Sequence, residues 1–353
     1  MTRWKEFDVK RGSSGPLLQV QGLEVEFRTG GRVVHAVNGI DIDVRRGETV
    51  AVLGESGSGK SITFEAILGT LDSPPGHVTG GRAEFEGQNL FDLSPRRRRA
   101  ICGDRIGMIF QDPLSALNPV YTVGWQMAEM YRVHRHLGRA EARRQSMDML
   151  ARVGIPDVQR RIDNYPHEFS GGMRQRLVIA MALAVDPALV IADEPTTALD
   201  VTVEAQILAL LRDLQRERGM GLILITHSMA VAAEIADRIC VMYAGQVVER
   251  GDVRTLFGSP AHPYTAGLLH SLPGVAAARH RRLTPIPGQP PDLAHIPPGC
   301  PFHPRCPRAE ARCRAEPPAL RPVGDGQREA ACHFAEELLA AAPTAQQDEG
   351  HAR

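Results

Sequence analysis

The run TVAVLGESGSGKSITFEAILGTL, Thr49–Leu71, decides the fold. It opens with a short, continuous apolar segment, the pattern of a strand buried on both faces. Gly54–Ser61, GESGSGKS, then matches G-x-x-x-x-G-K-[ST], and SITFEAILGTL reads as the helix that follows. Gly57 and Gly59 let successive backbone N–H groups turn inward around a phosphate, a path that most residues follow only with strain. The helix behind them points its positive end at the same place. Lys60 can supply a point charge to the β- and γ-phosphates, and the Ser61 hydroxyl can ligate Mg²⁺. A plain glycine turn is the bland alternative. The strand before and the helix after favour a nucleotide site, with Gly54, Glu55, Ser56, Gly57, Ser58, Gly59, Lys60, Ser61 and Ile62 as its expected contacts.

A second half of that site lies at LVIADEP, Leu189–Pro195. Asp193 and Glu194 end an apolar strand, and Pro195 stops it. Carboxylates at the C-terminal end of a strand sit where α/β sheets bind ligands. Asp193 is expected to hold Mg²⁺, and Glu194 to polarise the attacking water as general base.

Residues 17–53 alternate short β-like runs with turns (LLQVQGLEVEF, RVVHAV, GIDIDV, TVAVLG), the first three read as antiparallel. LSPRRRRAI starts a helix with Ser94 as N-cap and Pro95 at its first position, and its arginine run reads as a solvated face. From about residue 112 to 187 strand signals stop and helical patterns take over. ALVIADE, GLILITH and RICVMYAGQVVERG then read as three strand-like runs separated by helices, which implies a parallel sheet covered by helices. The expected fold class is α/β: a parallel core sheet, an antiparallel β subdomain, a helical subdomain and a small Cys/Pro-rich C-terminal domain. The expected divisions are a flexible N-terminus at 1–16, a main domain at 17–283, the Cys-rich domain at 284–335, and a short helix with a disordered tail at 336–353.

Lys+Arg and Asp+Glu balance at 41 each in 353 residues, so no global charge steers the chain to nucleic acid or anionic lipid. Lysine occurs only at positions 5, 10 and 60, which makes the one in the glycine loop conspicuous. The first residues carry no apolar signal-peptide core, and no run reaches the roughly 18 apolar residues that span a bilayer. The expected location is the cytosol, with any membrane role exerted through partners.

HEFSGGMRQRLVIAMAL, 167–183, resembles the signature segment of ATP-binding cassette (ABC) ATPases. Ser170, Gly171 and Gly172 open its helix, another N-terminus suited to an anion. The resemblance implies that this signature closes over ATP held by an opposite subunit, so each active site needs two chains. It also implies that Gln111 in IFQDP senses Mg²⁺ and the γ-phosphate, that Asp200 in TALD crosses the dimer interface, that His227 ending LILITH contacts the γ-phosphate, and that Phe27 stacks on adenine. Met173 departs from the commonest signature, which has glutamine there.

MIFQDPLSALNPVYTVG, ADEPTTALDVTVEAQIL, HPYTAGLL and the tail IPGQPPDL…PPGCPFHPRCPRAEARC look like the ATPase subunits of oligopeptide and dipeptide importers. The resemblance runs from about residue 17 to 335. It implies a heterodimer of ATPases, two membrane permeases and an extracytoplasmic peptide-binding protein, with this chain peripheral at the cytoplasmic face. The helical insertion after Gln111 would receive a permease coupling helix. The alternatives are an ATPase importing nickel or another small solute, and a soluble ABC ATPase. The latter usually has two cassettes or a long coiled-coil insertion, for which this chain has no room.

The tail spaces its cysteines as Cys300-x5-Cys306-x6-Cys313-x18-Cys332, not as the C-x2-C pairs of zinc ribbons. Twelve prolines fall between Pro285 and Pro322, with few large apolar side chains, so the segment needs a staple to offset its chain entropy. A structural metal centre contributes on the order of 10 kcal/mol to such a unit. Four thiolates suit either Zn²⁺ or a [4Fe–4S] cluster, and a reducing cytosol disfavours disulfides. The family resemblance implies the iron–sulfur cluster. Cys102 and Cys240 read as unrelated to this site.

Overall fold

The computed structural model describes residues 15–197, 199–271 and 285–341. Most of the expected flexible N-terminus, the expected boundary at 283/284 and most of the terminal tail lie outside the described residues. Two sheets share the core. The first is antiparallel, in the order β2-β1-β4-β5, with β1 Leu18–Thr29, β2 Arg32–Val44, β4 Gly76–Phe85 and β5 Gln88–Asn89. RVVHAV and GIDIDV are one strand, β2. Register shifts in its pairing with β1, between Val20 and Glu24, let the chain continue past Gly39 (φ 72°) without a turn.

The second sheet has eight strands in the order β11-β12-β10-β9-β3-β8-β7-β6. Its centre is parallel: β3 Thr49–Leu53 lies between β8 Gly221–Thr226 and β9 Arg238–Tyr243, and β8 continues through β7 Leu189–Asp193 to β6 Ile106–Ile109. Every residue of β3, β7 and β8 is buried, as their unbroken apolar runs require.

RICVMYAGQVVERG, read as a single run, is a hairpin. Ala244 (φ 50°) and Gly245 (φ 75°) form a two-residue turn whose left-handed backbone matches the strand twist. β10 Gln246–Asp252 therefore returns antiparallel to β9.

Between residues 112 and 187 the described elements are helical: α3 Pro113–Ala116, α4 Val123–His134, α5 Arg139–Arg152, α6 Val158–Arg161 and α7 Gly171–Leu183. Side chains fix where several helices start. Ser94 accepts from the Arg97 N–H to open α2 Pro95–Asp104, Thr122 from Trp125 to open α4, and Asp200 from Val203 to open α8 Val201–Arg218. The arginine run on α2 is not wholly solvated. Arg98 lies half-buried against the end of α1 Lys60–Leu68, donating from Nη2 to the Ile67 carbonyl at 2.7 Å. That places a cation on the negative end of the helix that starts at the phosphate loop.

The tail is stitched to the main body instead of standing apart. Its hairpin, β11 Arg321–Val323 and β12 Arg328–Ala330, extends the eight-stranded sheet, because β12 pairs with β10 through Glu249–Ala330. Phe302 is 2% exposed and sits edge-on to Tyr243 of β9, with ring centroids 5.2 Å apart, and beside Tyr264 of α11 Pro263–His270. The expectation that this segment must be stapled internally missed that support, since a neighbouring sheet edge and core supply the burial its own sequence lacks.

Candidate functional site

The phosphate loop bridges β3 and α1, as the spacing requires. Gly59 has φ 96°, and a Cβ there would lie 2.5 Å from the Ala36 carbonyl oxygen, so only glycine fits where β2 passes the loop. Lys60 is 6% exposed and donates from Nζ to the carbonyls of Gly54 (2.8 Å) and Glu55 (2.9 Å). Burial lowers its pKa, while Glu194 and Asp193 act to keep it charged. Lys60 and the two carboxylates are thus one electrostatic unit.

Asp193 ends β7 buried, and burial raises its pKa against the opposing pull of the Ser61 hydroxyl and Lys60. Its Oδ1 has no hydrogen-bond partner. A buried, unpartnered carboxylate oxygen beside a hydroxyl fits a hard cation such as Mg²⁺, which prefers oxygen ligands.

Glu194 is the hub. It adopts φ 43°, a left-handed backbone that a glutamate holds at a cost of order 1 kcal/mol, and this turns its side chain out of the strand line. Gln111 donates from Nε2 to its Oε2 at 3.0 Å, and the Thr197 hydroxyl donates to the same oxygen at 2.9 Å. The His227 Nδ1 lies 3.2 Å from its Oε1. Strands β6, β7 and β8 deliver these three groups to one carboxylate, since Gln111, Glu194 and His227 each follow the end of a parallel strand. Thr197 was missed in the sequence, though its position three residues beyond Glu194 is a usable signal.

The signature lies elsewhere on this chain. Ser170 is exposed and caps α7 by accepting from Met173. A Cβ on Gly172 would meet Val203 Cγ1 at 2.7 Å, so this glycine permits close packing of α7 on the start of α8, where Asp200 is the cap. Ser170 and Asp200 each accept from the first turn of their own helix, Met173 for Ser170 and Val203 for Asp200. Phe27, on β1, is half-buried against the apolar core that β1, β2, β3 and α1 share. His35, on β2, lies 3.4 Å from Glu26.

In the tail, Cys300, Cys306, Cys313 and Cys332 line one cavity with Phe302, His303 and His333, and all four are free thiols. The Cys300 N–H donates to the Cys313 carbonyl at 2.8 Å. Burial pushes the Cys300 and Cys332 thiols up to about 11, with the neighbouring thiols adding to the rise. Among the described residues no grouping of three or more His, Cys, Asp or Glu could hold a metal ion. Cys102 and Cys240 lie apart, Cys240 within and Cys102 against the core that β1, β2, β3 and α1 share.

A phosphate loop, a Mg²⁺-ready aspartate and a glutamate held by a glutamine and a histidine define the class: a P-loop ATPase of the ATP-binding cassette type. Residues 37–197 match the family model "ABC transporter", and residues 248–313 match "Oligopeptide/dipeptide transporter, C-terminal region". The chain is 50% identical over 318 residues to the dipeptide transport ATP-binding protein DppD of Escherichia coli (strain K12), covering 90% of this chain and 96% of that one. It is 50% identical over 297 residues to DppD of Bacillus subtilis (strain 168), covering 84% and 88%. Among solved structures, the dimeric, post-hydrolysis ATP-binding cassette MJ0796 bound to ADP and Pi superposes with TM-score 0.61 and 27% identity, covering 67% of this chain and 99% of that one. This chain belongs to the family of ABC transporter ATP-binding proteins. It is an ATPase whose hydrolysis is coupled to transport, with ATP and Mg²⁺ as its ligands.

Proposed function

We propose that this chain is the ATP-hydrolysing subunit that powers peptide import through a membrane ABC transporter. The observation that carries the mechanism is the convergence of Gln111, Thr197 and His227 on the Glu194 carboxylate, in the electrostatic reach of Lys60. Glu194 is the general base for the attacking water. His227 and Gln111 hold it and respond to the γ-phosphate and Mg²⁺, which Asp193, Ser61 and Gln111 would bind. Mg²⁺ supplies charge neutralisation to the transferring phosphoryl group. Phe27 stacks on adenine, and Gly54–Ile62 cradle the phosphates. Ser170, Gly171, Gly172 and Asp200 complete the site of an opposite subunit, a reading supported by the exposure of Ser170, Gly171 and Asp200.

The partners are a second, non-identical ABC ATPase, two permeases and, indirectly, an extracytoplasmic peptide-binding protein. No helix among the described residues is long and apolar enough to cross a membrane, in keeping with peripheral attachment at the cytoplasmic face. Next to Gln111, Phe110, Leu114, Val120, Tyr121 and Trp125 are all exposed, and the last two stack at 4.1 Å. An apolar surface there suits a permease helix. The domain reading remains a main ATPase domain at 17–283, with its helical insertion at 112–187, and a C-terminal unit at 284–335. The four thiols are the ligands of a [4Fe–4S] cluster. The reading is supported by the four thiols that line one cavity and by the match of 248–313 to the transporter C-terminal region.

Co-purification with permeases, followed by peptide-stimulated ATP turnover, tests the assignment; stimulation by nickel and not by peptides would sink it. Anaerobic purification with metal analysis and a visible spectrum tests the cluster. Zinc at one equivalent without iron would refute it.

A further inference from the structure

The tail reaches into the phosphate loop. Arg305, in the 3-10 turn His303–Arg305 between Cys300 and Cys306, donates from Nη1 to Glu55 Oε2 at 2.5 Å and from Nη2 to Glu55 Oε1 at 2.9 Å. Its Nε donates to the Pro287 carbonyl at 2.9 Å, and the guanidinium lies 5.8 Å from the Tyr243 ring centroid and 5.9 Å from that of Phe302. Arg305 is 6% exposed, so this planar, two-pronged contact is shielded from water.

Glu55 is the second residue of the phosphate loop, and it is gripped at three points. Arg305 takes its carboxylate, the Tyr264 hydroxyl accepts from its N–H at 2.8 Å, and Lys60 donates to its carbonyl at 2.9 Å. Two of these grips come from outside the nucleotide core: from α11 and from the cysteine segment. A loop held in one shape before ligand arrives binds with less loss of entropy than one that must be ordered. Lys60 perches on the Glu55 carbonyl, so whatever holds Glu55 also positions the lysine that meets the phosphates.

We propose that Arg305 is a positioning residue for the phosphate loop, through which the cysteine-bearing segment sets the affinity for ATP. This rests on the ATPase reading and extends it to the tail.

The test uses the full-length chain with Arg305→Gln, Arg305→Lys, Glu55→Gln and the Arg305→Gln/Glu55→Gln double variant. Binding of a fluorescent ATP analogue is measured at equilibrium, and KM and kcat are measured in the assembled transporter. Arg305→Gln is expected to weaken nucleotide binding about tenfold and to raise KM more than it lowers kcat. The double variant should be no weaker than the worse single one, because both remove the same contact. Arg305→Lys, which keeps the charge and loses the fork, should recover only part of the affinity. Melting temperature separates a purely structural role: a lowered value with unchanged nucleotide affinity overturns the proposal, as do additive effects in the cycle. Lys60→Ala serves as the control for the underlying reading. If hydrolysis persists in it, the ATPase assignment fails, whatever Arg305 does.

Discussion

Gln111 donates to Glu194 at 3.0 Å, linking the residue that opens the helical region to the carboxylate that follows β7. A shift of Gln111 therefore alters the hydrogen bonding of Glu194, the proposed base. The arrangement gives a physical route by which movement of the helices after residue 112 changes the reactivity of the site.

Replacing Glu194 with Gln removes the base and retains the side-chain shape. Turnover should fall by at least about 10²-fold, the usual contribution of general base catalysis, with ATP still bound. Phosphate release is measured in the assembled complex with the partner ATPase site also disabled. Near-normal release would show that the water is activated elsewhere.

Gly172→Ala should destabilise the chain by about 1–2 kcal/mol. Its Cβ would sit 2.7 Å from Val203 Cγ1, an overpacking cost that outweighs the roughly 1 kcal/mol gained in helix propensity. In a Val203→Ala background the same change should become neutral or stabilising. Thermal melts of the four variants check both signs.

Phe302→Ala should cost about 3–5 kcal/mol, because it empties a fully enclosed position between Tyr243, Tyr264 and His262. Denaturant titration reads the loss. A cost below about 1 kcal/mol would mean that the tail is not anchored on this core.

Glu249 is fully buried on β10, where its carboxylate accepts from the Ala261 and His262 N–H groups at 2.7 and 3.0 Å. Burial nonetheless raises its pKa from 4.5 to about 7. Between these values the folded state holds the proton that the unfolded state has released, so this group's contribution to stability falls as pH rises from about 4.5 to about 7. Glu249→Gln should flatten that slope and be relatively more stable at neutral pH. Melting temperatures across pH 5 to 8 check it, and an unchanged slope would contradict the assignment.

Much of the site was legible because its signals are local. GESGSGKS, ADEP and FSGGM each carry their chemistry within a few residues, and capping by Ser94, Ser170 and Asp200 is a short-range choice that the backbone N–H groups enforce. The merging of RVVHAV with GIDIDV and the turn at Ala244–Gly245 were misread. Strand length depends on register with a partner, and two adjacent strands with one short turn look continuous in an apolar run. Thr197 was passed over because a threonine after a proline reads as a turn until the glutamate beside it is known to face it.

The sequence by itself determined the phosphate loop, the alternation of strands and helices that implies a parallel sheet, and the presence of four thiols in a proline-rich tail, since spacing along the chain encodes each of these. Only the tertiary structure decided that β12 joins β10, that Gln111 and His227 meet on Glu194, and that Arg305 grips Glu55. Those pairs are joined by packing and strand register across 33 to 250 residues of chain, and no local pattern specifies which distant surface a side chain will meet.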